Sequence, residues 1–118
     1  CTHITGLAAD LPRVTDYLDM GNCTHITGLA ADLPRVTDYL NIGICTQIAG
    51  PLMPQPTLKI IYLYGTGMTP SDTDQTLINL AAVTTVASGG VLYIKHNRTS
   101  ASDAAVASLA GKFTITEV

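Results

Sequence analysis

The chain has no tryptophan, a single phenylalanine and few charges. Six lysines and arginines stand against nine acids, for a net charge of −3 over 118 residues. With no basic stripe, nucleic acid and anionic membrane surfaces are poor partners. Long uninterrupted apolar runs are also missing. The most apolar stretch, 77–94, is broken by Asn79, Thr84, Thr85, Ser88 and Gly89-Gly90. It reads as a buried helix followed by a strand, and not as a membrane span.

Cysteine and histidine are scarce, three of each. The cysteines fall at 1, 23 and 45, one per 22 residues. An extracellular disulfide framework would not be spaced so evenly or leave an odd member. Equal phase means equal structural position, so the thiols read as small buried hydrophobes. Stacked Cα atoms would lie about 4.8 Å apart. That is within disulfide reach, but parallel Cβ vectors disfavour the required dihedral.

Catalytic and metal signatures are weak. Cys1-Thr2-His3 and Cys23-Thr24-His25 resemble a ladder of metal ligands, but Gln47 breaks the series and the histidines fall in a solvated turn. His96, Ser100, Ser102 and Asp103 are triad residue types without a nucleophile elbow; they read as a turn and a helix cap. Gly65-Thr66-Gly67 lacks the spacing of a dinucleotide fingerprint. No enzyme activity, cofactor or metal is expected. Of two sequons, Asn22-Cys23-Thr24 is expected to be exposed and Asn97-Arg98-Thr99 to be withdrawn from the surface.

What the chain does have is a repeat. Residues 1–18, CTHITGLAADLPRVTDYL, recur unchanged at 23–40, and a degraded copy opens at Cys45-Thr46-Gln47-Ile48. One copy is too short to bury its own apolar face, so copies must stack. Apolar content is 47%, ample for a core. Leu18, Met20 and Cys23 fit the pattern L-x-L-x-x-C, and Leu40, Ile42 and Cys45 repeat it. Ile61, Leu63 and Thr66 follow, then Leu92, Ile94 and Asn97, then Phe113, Ile115 and Val118.

This pattern resembles the leucine-rich repeat family over the whole chain. The first two copies look like its cysteine-bearing variety. The leading leucine is replaced by Thr15, Thr37 and Gly89 in three copies. The resemblance implies an α/β fold, a right-handed solenoid with a parallel concave sheet of about five short strands and short helices or extended segments on the convex side. The structural ladder would be Cys1, Cys23, Cys45, Thr66 and Asn97, whose side chains bond to loop backbone as the chain leaves each strand. The chain reads as a single unit, 1–118, with repeats near 1–22, 23–44, 45–65, 66–96 and 97–118. Cys1 opens in mid-repeat, so the expectation is a piece of a longer array, or an open end that stacks on another molecule.

The return segments differ. Gly28 to Pro34 suggests one short helical turn. Pro51, Pro54 and Pro56 make the third return extended. Pro70-Ser71-Asp72 opens a longer helix with Leu77, Leu80, Ala81 and Val83 inward, ended by Gly89-Gly90. Ser102-Asp103 caps a last helix to about Leu109.

The residues flanking each inward strand pair point to the concave face. They include Tyr17, Asp19, Tyr39, Asn41, Tyr62, Tyr64, Tyr93 and Lys95, and they gather all five tyrosines on one side. Strand propensity explains why tyrosines lie in strands. A recognition surface also uses tyrosine, which offers flat area and a hydroxyl at small entropic cost. The expected function is a non-enzymatic recognition or adhesion module for a protein or glycan. By resemblance, it belongs to an extracellular, cell-surface, phage-tail or virion protein. The alternative is a structural subunit of a filament or virion, self-associating end to end through open edges.

Overall fold

The computed structural model describes residues 6–7, 14–19, 21–22, 24–29, 35–52 and 57–118. Cys1, His3, Met20 and Cys23 lie outside them, so the first two ladder positions are not described. The elements run β1 (Gly6–Leu7), β2 (Val14–Asp19), β3 (Ile26–Leu29), β4 (Arg35–Asn41), β5 (Ile48–Ala49) and β6 (Ile60–Tyr62). Then come α1 (Pro70–Val83), β7 (Gly90–Ile94), a 3-10 turn (Ser100–Ser102), α2 (Asp103–Leu109) and β8 (Phe113–Glu117).

Among the described residues the fold is mixed α/β with two all-parallel sheets. The larger has five strands in the order β2-β4-β6-β7-β8, and the smaller has three in the order β1-β3-β5. In both, spatial order follows chain order. The inward pairs of the larger sheet are fully buried: Leu40 and Ile42, Ile61 and Leu63, Leu92 and Ile94. Leu18, Leu40, Ile61 and Leu92 lie opposite one another along the register. The strand period of two thus converts directly into one core column per inward position.

Turns repeat along with strands. Asn22, Ile44 and Gly65 have φ values of 65°, 63° and 69°, and each stands one place before a ladder position. These turns bond to one another: the Asn22 amide donates to Gly43 O at 2.8 Å and the Ile44 amide to Tyr64 O at 2.8 Å.

Helix α1 begins where its sequence dictates. Thr69 and Asp72 form a capping box, and Pro70 takes the first helical positions, where its missing N–H costs nothing. Its end differs from the expectation. The helix stops at Val83, well before Gly89-Gly90, and Thr84 is already extended. The next residues, Thr84, Thr85 and Val86, are all β-branched and lose side-chain freedom in a helix. Ser102 also departs from its expected role: it makes no side-chain cap for α2, while Thr99 caps the 3-10 turn.

Two further expectations are corrected. Gly28 and Leu29 are not helical; they belong to β3, which pairs with β1 and β5. Residues 30–34 lie outside the described set. The last repeat is offset by two residues. Ile115, and not Phe113, lies opposite Leu92, while Phe113 lies opposite Gly90. A side chain on Gly90 would collide with the Phe113 ring, so the glycine opens the space the ring fills. Val118 is 56% exposed and holds no ladder position.

Candidate functional site

Two rows of outward side chains cross the five-stranded sheet. Tyr17 lies opposite Tyr39, which lies opposite Ile60 and then Val91. Asp19, Asn41, Tyr62 and Tyr93 form the next row. Tyr64 follows just beyond β6, with its ring packed over Gly43; a Cβ on Gly43 would stand 3.0 Å from that ring.

The five tyrosines form one unbroken chain of ring contacts. Tyr17 and Tyr39 stack at 4.4 Å between centroids with planes 8° apart. Tyr39 meets Tyr62 at 5.9 Å, and Tyr62 meets Tyr93 at 5.1 Å and Tyr64 at 6.4 Å. Tyr64 and Tyr93 close the cluster at 6.2 Å. Tyr17 is 60% exposed; the other four are half-buried. Burial, the Asp19 carboxylate and the neighbouring Tyr17 push the Tyr39 phenol above its ordinary value, against a hydrogen bond with Asn41.

The polar members of the expected face are partly committed to turns. Asp19 Oδ1 accepts from the Gly21 amide at 3.1 Å, and Asn41 Oδ1 accepts from the Gly43 amide at 2.9 Å. Lys95 is turned toward backbone: its Nζ donates to Thr66 O at 3.0 Å and Met68 O at 3.2 Å. It braces the turn after β6.

The described ladder residues sit at strand exits. Cys45 is fully buried. Thr66 is buried and donates to Leu63 O at 2.9 Å. Asn97 is half-buried, less withdrawn than its sequence position suggests. Its Nδ2 donates to Met68 O at 3.0 Å, and its Oδ1 accepts from Thr73 Oγ1 at 2.7 Å.

The triad residue types do not converge. His96 is exposed, Asp103 pairs with Arg98 at 2.7 Å, and Ser102 Oγ donates to Asp74 at 2.7 Å. Among the described residues, no group of three or more His, Cys, Asp or Glu forms a metal-holding cluster.

Sequence reasoning missed the polar flanks of α1. On one flank, Asp72 and Thr76 accept from the Gly50 and Leu52 amides, and Asn79 donates to Leu52 O. These residues recur at i, i+4 and i+7, so one helix stripe holds the preceding return segment. On the other flank, Thr73 reaches Asn97, and buried Asp74 reaches Thr99 and Ser102. Burial pushes the Asp74 carboxyl up. Hydrogen bonds from Thr99 and Ser102, with the Arg98 charge nearby, outweigh that and hold it below its usual range.

Comparison of the chain with protein-family models, with curated proteins and with solved structures found no match.

Proposed function

We propose that the chain is a right-handed coil of the leucine-rich-repeat type that binds a protein or glycan through its tyrosine face and carries out no catalysis. The observation that carries this reading is the unbroken contact of all five tyrosine rings on one side of the sheet. A cluster of partly exposed rings concentrates contact area and hydroxyls in one place, as binding hot spots do. The centre is Tyr62, which touches Tyr39, Tyr64 and Tyr93. An extracellular, cell-surface or virion setting accompanies this reading through the resemblance of the repeats.

The test is a screen of the purified chain on arrayed glycans and on immobilised peptides, repeated with Tyr62→Ala and Tyr62→Phe. Tyr62→Ala should weaken any captured ligand by about 1–2 kcal/mol or more. It removes three ring contacts and will also lower stability, so binding is compared well below each melting temperature. Tyr62→Phe keeps the ring and isolates the hydroxyl. Ligand binding that survives Tyr62→Ala and Tyr93→Ala unchanged would overturn the assignment of this face.

A second reading is end-to-end assembly. Among the described residues, β2 and β8 each pair on one side only and so present strand edges. Light scattering separates the two readings: concentration-dependent growth into fibres supports assembly, and a single small species supports the binding module.

A further inference from the structure

We propose that Tyr17 and Tyr39 form an oxidative cross-linking site, where a one-electron oxidant joins neighbouring strands through a dityrosine bond. The exact repeat places one tyrosine at the same position in two copies, and the parallel register sets Tyr17 directly opposite Tyr39. Their rings are the one near-parallel pair in the cluster, 4.4 Å apart and 8° from coplanar stacking. The other ring pairs lie 5.1–6.4 Å apart and are tilted by 48–85°. In a face-to-face stack, the ring carbons beside the hydroxyl of one phenol lie over the ring of the other. That is the approach a carbon–carbon bond between them requires.

The reaction balances as follows. Each phenol gives one electron to the oxidant and one proton to solvent or to a nearby base such as the Asp19 carboxylate. The two phenoxyl radicals join through one ortho ring carbon each. The hydrogens on those two carbons then move to the oxygens and restore two phenols. The net change is the loss of two electrons and two protons, and two equivalents of one-electron oxidant are consumed. The surroundings favour this pair. The chain has no tryptophan to intercept the oxidation, and among the described residues the only cysteine and methionine, Cys45 and Met68, are buried. Tyr17 is 60% exposed, so an oxidant can reach it. A radical made on Tyr62, Tyr64 or Tyr93 can reach Tyr39 through the contact chain. The Asp19 charge near Tyr39 favours electron loss there. The product would tie β2, at one edge of the larger sheet among the described residues, to β4 across a loop of one repeat.

The experiment exposes dilute protein to photogenerated tris(bipyridyl)ruthenium(III), with persulfate as terminal electron acceptor. Dityrosine fluorescence is read directly, with no tryptophan emission to mask it. Trypsin cuts after Arg13, Arg35 and Lys59, placing Tyr17 and Tyr39 on separate peptides, 14–35 and 36–59. The expected product is a monomer lighter by two hydrogen atoms, with those two peptides joined. Tyr17→Phe and Tyr39→Phe should each abolish most of the fluorescence. In concentrated urea the preference for this pair should vanish. Mapping the wild-type product needs no variant to fold. Cross-links spread evenly over the five tyrosines, joined chiefly between molecules, or absent altogether would overturn the proposal.

Discussion

Asp74, in the middle of α1, holds Thr99 twice. Its carboxylate accepts from the Thr99 amide at 2.8 Å and from the Thr99 hydroxyl at 2.5 Å, and Ser102 Oγ adds a third bond at 2.7 Å. Asp74 is only 6% exposed, so water cannot replace it easily. Asp74→Ala would leave three donors without this acceptor. We expect a loss of roughly 1–3 kcal/mol, since buried Ser102 loses its charged partner while exposed Thr99 can turn to water. Asp74→Asn keeps one acceptor oxygen and should lose less. Urea midpoints measure both, and a wild-type midpoint for Asp74→Ala would show that this link does not support the fold.

The same carboxylate sets a pH dependence. Its folded-state value is lowered relative to its ordinary one. Between the two values the unfolded chain binds more protons than the native one, so stability rises with pH there. The contribution is full above the ordinary aspartate value, about 3.9, and is lost as pH falls through the lower folded value. Urea midpoints should therefore drop below about pH 4, and more steeply in the wild type than in Asp74→Asn. Parallel slopes for the two proteins would assign the acid sensitivity to other groups.

The strand columns were legible in the sequence because strand periodicity is local. The spacing of Leu40 and Ile42, or of Leu92 and Ile94, fixes which side faces the core wherever a repeat supplies the register. The tyrosine face followed from the same alternation. Its ring geometry did not, because the stagger that sets Tyr39 opposite Ile60 depends on how whole strands slide past one another. The last repeat was misaligned for a related reason. A bulky Phe113 opposite Gly90 fits better than the pattern match that would set it opposite Leu92. Asp74, Thr73 and Thr76 were missed because their partners lie 24 to 28 residues away, and no periodicity marks such a pair. The smaller sheet was missed because strands of two to four residues carry almost no pattern.

Asn97 and Asn22 test the ladder. Asn97→Ala removes bonds to Met68 O and Thr73 Oγ1, and should cost roughly 1–3 kcal/mol. Asn22 is exposed but has a φ of 65°, so Asn22→Ala adds strain of its own. Asn22→Gly is the cleaner control, because glycine adopts that backbone freely, and it should change stability by no more than about 0.5 kcal/mol. Equal urea midpoints for Asn97→Ala and Asn22→Gly would mean that the ladder asparagine does not hold the turn.

Ile44 occupies a backbone conformation that its side chain opposes. Its φ is 63°, where a β-branched residue crowds the neighbouring carbonyl. The equivalent turns before and after it use Asn22 and Gly65, residues that tolerate this region. The burial gained in exchange is partial, since Ile44 is 39% exposed. Ile44→Asn should therefore raise stability by about 1 kcal/mol, the order of the left-handed penalty for a side chain with a Cβ. Ile44→Gly should relieve the same strain, offset in part by greater freedom in the unfolded chain. Both variants are read by thermal and urea unfolding. A rise in both would show that the turn sets the preference at this position. A fall in both would show that the buried part of the isoleucine outweighs the strain and that the turn is held by packing.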